Sequence, residues 1–208
     1  MDCRGQSYDN VSNMSGCYGG VQAKIIERNP LVIYVLCAAH SLNLVGQAAA
    51  DCCLRATKFF MFVQHVYTFL SASTSRWARV KSKVENRSGM LLPKSLSDTR
   101  WSARAEACRA LVKSWESLRD ALDDIAENAS EKPSTKSEAE GLSQQFGLLE
   151  TAIMVVTWSD ILERFEETNK SLQRVNIDLT TVVQLYDALQ AYVIDLRHRF
   201  DHYEAKAK

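Results

Sequence analysis

Trp101, Ala105, Cys108, Leu111 (or Val112), Trp115, Leu118, Leu122 and Ile125 recur in steps of three and four. That period puts them on one face of an α-helix, about 40 Å long at ~1.5 Å per residue. A face so long and so apolar has to be buried against other helices. The second half of the chain is therefore constrained to a helical bundle. Residues 138 to about 170 carry Leu142, Phe146, Leu149, Ile153 and Val156 at the same spacing. A last helix is expected through Leu179, Val182, Tyr186, Leu189, Val193, Leu196, Phe200 and Tyr203, with Asp178 or Thr180 as its cap. Between them, residues 128–137 read as a loop around Pro133, with Thr135 and Glu138 spaced for a capping box.

The front is different. Gly5, Gly16, Gly19 and Gly20 crowd the first twenty residues, whereas only Gly141 and Gly147 follow Gly89. Residues 21–28 read as the end of a helix, stopped by Asn29-Pro30 because the residue before proline avoids helical dihedrals. Leu31–Cys37 is a continuous β-branched and aromatic run, the pattern of a strand buried on both faces. A helix from about Ala39 to Ala50 follows, then helices over 54–71 and 74–85 and a polar connection at about 86–99.

The chain has 208 residues and a formal net charge of zero. The neutrality is a cancellation. Residues 1–100 hold 12 basic and 6 acidic side chains, and residues 101–208 hold 13 and 19. Within 55–104, ten basic residues face only Glu85 and Asp98, so a nucleic-acid contact has to be judged locally. No apolar run reaches the ~18 residues of a membrane helix. The start, MDCRGQSYDN, lacks a signal-peptide pattern, which predicts a cytoplasmic or nuclear location and no membrane partner. The six cysteines, with no repeated Cys-x-x-Cys, are expected to be reduced and mostly buried.

Three segments carry candidate chemistry. Asp9-Asn10 followed by Ser12 suits a turn and a helix cap as well as an acid site. Cys37-x-x-His40 has half of a zinc-site spacing and no second pair nearby. His198 and His202 share a helical face but suit a solvated helix terminus better. Arg100-Trp101 reads as a loop arginine beside the first core residue of a helix.

Taken together, GQSYDNVSNMSG, NPLVIYVLCAAHSLNLV and LSDTRWSARAEA resemble, in order and spacing, the hAT superfamily of cut-and-paste DNA transposases. The likeness is strongest to the transposon-derived zinc finger MYM-type-like proteins, and it extends with lower specificity to DLRHRFDHYEA. The resemblance implies a mainly α chain: a partial ribonuclease H-like α/β element over residues 1–50, then an all-helical insertion-type bundle over 51–208. It matches Asp9 to the second of three catalytic acids, which in such enzymes hold two Mg²⁺ or Mn²⁺ ions for attack on a DNA phosphodiester. Cys37 and His40 match the family's Cys-x-x-His motif. Arg100 and Trp101 match an Arg-Trp motif whose ring stacks on a flipped base. The first and last acids would lie before and after this sequence, so Asp9 would bind metal only if they were supplied. A lone carboxylate holds Mg²⁺ poorly.

The expectation is then a transposase-derived fragment without phosphoryl-transfer activity of its own and without a cofactor. DNA is its candidate partner through Arg76, Arg79, Lys81, Lys83, Arg87, Arg100 and Trp101, although the basic residues also suit a solvated helix face. One alternative is a helical interaction module that self-associates along its long helices. Another is a piece of an active metal-dependent transposase. No small-molecule substrate is evident.

Overall fold

A computed structural model describes residues 3–9, 11–85, 88–97 and 101–208. The chain is mainly helical, 74% helix and 4% strand. Strand β1 (Gly5–Tyr8) is followed by α1 (Ser12–Ser15), α2 (Val21–Arg28), β2 (Ile33–Leu36) and α3 (Ala38–Ala50). Then come α4 (Leu54–Ser71), α5 (Thr74–Glu85), α6 (Trp101–Glu127), α7 (Pro133–Phe146), α8 (Leu149–Leu172) and α9 (Leu179–Asp195). A 3-10 turn (Leu196–His198) leads into α10 (Phe200–Ala207).

β1 and β2 pair in parallel, from Gly5 opposite Ile33 to Tyr8 opposite Leu36. Parallel strands need a crossover, which the segment bearing α1 and α2 supplies. The run at 31–37 is thus a strand, but the expectation that both its faces are buried fails. Ile33 is 70%, Val35 43% and Leu36 51% exposed. The cause is that, among the described residues, β2 has one neighbouring strand and no layer over its faces. Residues 21–28 form a complete short helix rather than the end of a longer one, with Gly20 as the N-cap.

The core is one continuous cluster centred on α6 and α8. Helix α6 buries Trp101, Ala105, Cys108, Leu111, Leu118, Leu122 and Ile125 against α5, α7 and α8. The cluster runs across residue 50, because Ala39, Leu42 and Ala50 of α3 belong to it. Helix α3 crosses α6 closely at Gly46, where a Cβ would lie 2.8–3.0 Å from the Trp101 indole. At Ser114 the α6 backbone leaves helical dihedrals (φ −119°, ψ 20°). Its hydroxyl donates to Leu91 O (2.8 Å) and accepts from Leu91 N (2.9 Å), pinning the irregular 88–97 segment to the helix.

Three helix boundaries differ from the sequence reading. Helix α7 starts at Pro133, whose missing N–H costs nothing at the first helical position, so Thr135 and Glu138 form no capping box. Glu138 instead meets His65 Nε2 at 2.7 Å. The single helix expected from 138 to about 170 breaks at Gly147 and Leu148, where the backbone turns extended at Leu148. The last helix breaks at Arg199 (φ −104°, ψ 11°), which is paired with Asp195. That break lets α10 fold back on α8 and bury Tyr203, while Phe200 stays exposed. The Asp178 cap is observed, with Oδ1 accepting from Thr181 N at 2.8 Å.

The cysteines also depart from expectation. Cys108 is buried and its thiol is pushed up to about 12 by loss of solvent. Cys17, Cys52 and Cys53 are exposed, because they lie in turns.

Candidate functional site

Asp9 directly follows β1 and Cys37 directly follows β2, so the parallel register brings them to the same end of the sheet. The Cys37 amide donates to Tyr8 O at 3.0 Å and so continues the ladder by one residue. Cys37 is the N-cap of α3, and its carbonyl accepts from Ser41 N at 2.9 Å. His40 lies three residues on, on the same side of that first turn. The carboxyl ends of parallel strands are where α/β sheets place their reactive groups.

The acid site itself is sparse. Asp9 Oδ1 accepts a long hydrogen bond from Val11 N (3.4 Å), the Asx-type turn that its sequence context also allows. Among the described residues, no three of the His, Cys, Asp and Glu side chains converge as a metal site. The residues present therefore do not fit a two-metal centre, and no reaction step is derived through one.

Sequence reasoning missed one residue here. Tyr186 of α9 donates its hydroxyl to Ala38 O (2.7 Å), bracing the start of α3 from a position 148 residues away. Burial, and then the nearby Cys37 thiol, raise the Tyr186 hydroxyl above its ordinary range. Its position on the α9 apolar stripe is legible in the sequence, but its polar partner is not.

The basic residues of α5 are largely committed to the protein. Arg76 Nη1 donates to Phe69 O (2.6 Å), and its guanidinium lies 4.4 Å from the Phe69 ring. Lys83 pairs with Asp124 at 2.6 Å and Lys81 with Glu85 at 3.6 Å. Lys94, in the following segment, pairs with Glu106 at 2.5 Å. Arg79 is half-buried on the same helix. Arg87 and Arg100 lie outside the described residues.

Trp101 is a core residue, 3% exposed. Trp158 and Phe165 lie 6.5 and 5.9 Å from it, centroid to centroid, and the Arg104 guanidinium is 5.6 Å from its ring. In this arrangement its indole offers no face to a base. Stacking on a nucleotide would require the ring to leave the core. Its Nε1 is buried without a hydrogen-bond partner, an atom that gains nothing from its present surroundings.

Comparison with protein-family models, with curated proteins and with solved structures finds no match. Among the described residues, no helix is long and apolar enough to cross a membrane.

Proposed function

We propose that this chain derives from an hAT-type DNA transposase, lacks phosphoryl-transfer activity of its own, and retains a salt-dependent contact with DNA. One observation carries the reading. A parallel β-crossover-β unit sets Asp9 beside the Cys37-x-x-His40 helix start at one end of the sheet. The resemblance in sequence implies this order of elements, with a helical body after it. The exposed apolar β2 supports it too. Its continuous apolar run suits a strand with neighbours on both sides, as in a larger parallel sheet.

DNA contact is assigned to α5, which carries Arg79 and Lys83 on one side of its buried Val80–Val84 edge and Lys81 on the other. Ion pairs with Glu85 and Asp124 weaken this field; the Lys81–Glu85 pair is solvent-exposed and weak, whereas Lys83 is half-buried in its pair with Asp124. The test is a binding titration against duplex DNA from low to physiological salt. Phosphate contact requires log K to fall linearly with log salt, and R79A with K81A should shallow that slope by about 1–2. A flat salt response refutes DNA contact. Cleavage of DNA by the chain alone with Mg²⁺ or Mn²⁺ refutes the inactive reading.

A second reading is favoured by α9. Leu179, Val183, Val193 and Ile194 face outward, while Val182, Tyr186 and Leu189 face the core. This outer apolar stripe suits a helix partner, including a second copy. The apolar face of α6, by contrast, is consumed within the chain. A monomer by light scattering across a wide concentration range excludes self-association.

A further inference from the structure

A groove of about 360 Å³ lies between α4 and the turn from α7 into α8. A second hollow continues it toward Met61 and His65, and the two share Lys58, Phe62, Gln145, Leu148 and Thr151. The turn at Gly147 and Leu148 makes one wall, with Gln145 from the last turn of α7 before it and Thr151 from the first turn of α8 after it. Arg55, Lys58, Phe59 and Phe62 make the other wall, three or four residues apart on one face of α4.

The floor is apolar and held in place. Phe59 and Phe62 are buried; Phe62 meets the Phe146 ring edge-on at 5.3 Å, and Phe59 meets Phe60 at 5.1 Å. Met154 borders them with an unbranched side chain that adapts to irregular shapes. A preformed floor needs little reorganisation on binding. The size falls within the ~300–1,000 Å³ range of small-molecule pockets. The rim is polar, and its charges do not cancel. Glu150 pairs with Arg55 at 3.0 Å. At the second hollow, Glu138 meets His65 at 2.7 Å. Lys58 has no ion pair or hydrogen bond among the described residues. An apolar trough therefore carries one spare cation at its rim.

We propose that this groove binds a small amphipathic carboxylate, with its alkyl or aryl body on Phe59, Phe62 and Met154 and its carboxylate at the Lys58 ammonium. The apolar floor gives the body a place to leave water, and the exposed Met61 and Leu148 side chains at the lips are covered along with it. The Thr151 hydroxyl and the Gln145 carboxamide are neutral donors in the same lining. An ammonium ligand of the same shape would meet Lys58 with like charge, so the sign of the head group is the discriminating property.

The test uses the full chain carrying carbon-13 methyl methionine, titrated with octanoate below its micelle concentration and read by NMR. Met61 and Met154 line the groove, while Met14 and Met90 lie outside it and serve as references. Octanoate should shift the Met61 and Met154 methyl signals saturably and leave those of Met14 and Met90 in place. At low salt it should bind about three- to tenfold tighter than octylammonium, with a smaller difference at high salt. Lys58→Glu should reverse that order. Leu148→Asp puts an acid at the N-cap of α8, where aspartate is favoured, so the fold is kept. It should weaken octanoate binding by about threefold or more, with the reference signals unchanged. The proposal is overturned if Met61 and Met154 do not move, or if the reference signals move with them. It is equally overturned if wild type binds both amphiphiles alike, or if Lys58→Glu leaves the preference as it was. Movement of Met61 and Met154 on diluting the protein alone would make a second copy the occupant and would also overturn it.

Discussion

The approach of α3 to α6 at Gly46 leaves no room for a side chain against the Trp101 indole, and it can be tested by one methyl group. A Cβ at residue 46 would lie 2.8 Å from Trp101 Cδ2, 2.9 Å from Cε2 and 3.0 Å from Cε3. The indole has little room to retreat, since Trp158, Phe165 and Arg104 stand around it and it is almost wholly enclosed. Overpacking of this kind costs about 1–3 kcal/mol. Replacing a mid-helix glycine by alanine also gains about 1 kcal/mol of helix propensity. The two effects oppose, so Gly46→Ala alone is hard to interpret. Gly141 resolves this, because it sits within α7 and a methyl group there would meet no atom inside 4 Å. Gly141→Ala should stabilise by about 0.5–1 kcal/mol. The propensity gain is common to both variants, so their difference isolates the packing term. We expect Gly46→Ala to be less stable than Gly141→Ala by about 1–3 kcal/mol in urea denaturation, or about 2–4 °C of Tm per kcal/mol for a chain of this size. Trp101→Phe in the Gly46→Ala background should recover part of the loss. Equal stability of the two alanine variants would show that the indole yields freely, and the reasoning would fail.

Two further outcomes rest on buried polar contacts. Ser114→Ala removes both hydrogen bonds to the Leu91 backbone, which should cost about 1–3 kcal/mol and raise hydrogen exchange across 88–97 while α8 stays protected. Glu166 is held by Lys170 Nζ at 2.7 Å and Arg109 Nη2 at 3.0 Å. Burial alone would raise its carboxyl, but these hydrogen bonds outweigh it and set the group below its ordinary value of 4.5. The folded form thus holds the ionised carboxylate, and its stabilisation is complete above the unfolded value and lost as pH falls through the lower folded value. Glu166→Gln should be less stable than wild type by about 1–2 kcal/mol at pH 7. The gap should close as pH falls below 4.5, and a gap independent of pH from 7 to 3 would contradict the assignment.

Much of this fold is written in local pattern. The helices at 54–71 and 74–85 match the sequence reading residue for residue, and the Trp101–Ile125 face is the buried face of α6. Periodicity succeeds there because one helical face meets one core. It fails where the deciding term is tertiary. The run at 31–37 announces a strand but not how many neighbours that strand has, so its exposure lies beyond what the pattern can say. Leu148 and Leu149 continue an apolar rhythm straight through the turn that separates α7 from α8. At the site, the juxtaposition of Asp9 with Cys37 follows from the parallel pairing of two short strands. The enclosure of Trp101 depends on α3 and α8, which no spacing around residue 101 reveals.

The parallel pair of strands also sets an order of opening. Gly5 and Ile33 are 28 residues apart, so closing that loop costs roughly 3 kcal/mol of chain entropy by the logarithmic length rule. A four-residue ladder with an exposed apolar face returns little against this cost. Neither α1 nor α2 buries a residue to help. The α6–α7 and α6–α8 packing draws on neighbouring segments and forms the larger share of the core. We expect the α6–α7–α8 bundle to be the more durable cooperative unit and the strand pair the less protected one. Asp9, Cys37 and His40 then belong to the part of the molecule that opens first, and the amides of β1 and β2 should exchange ahead of those in α6 and α8.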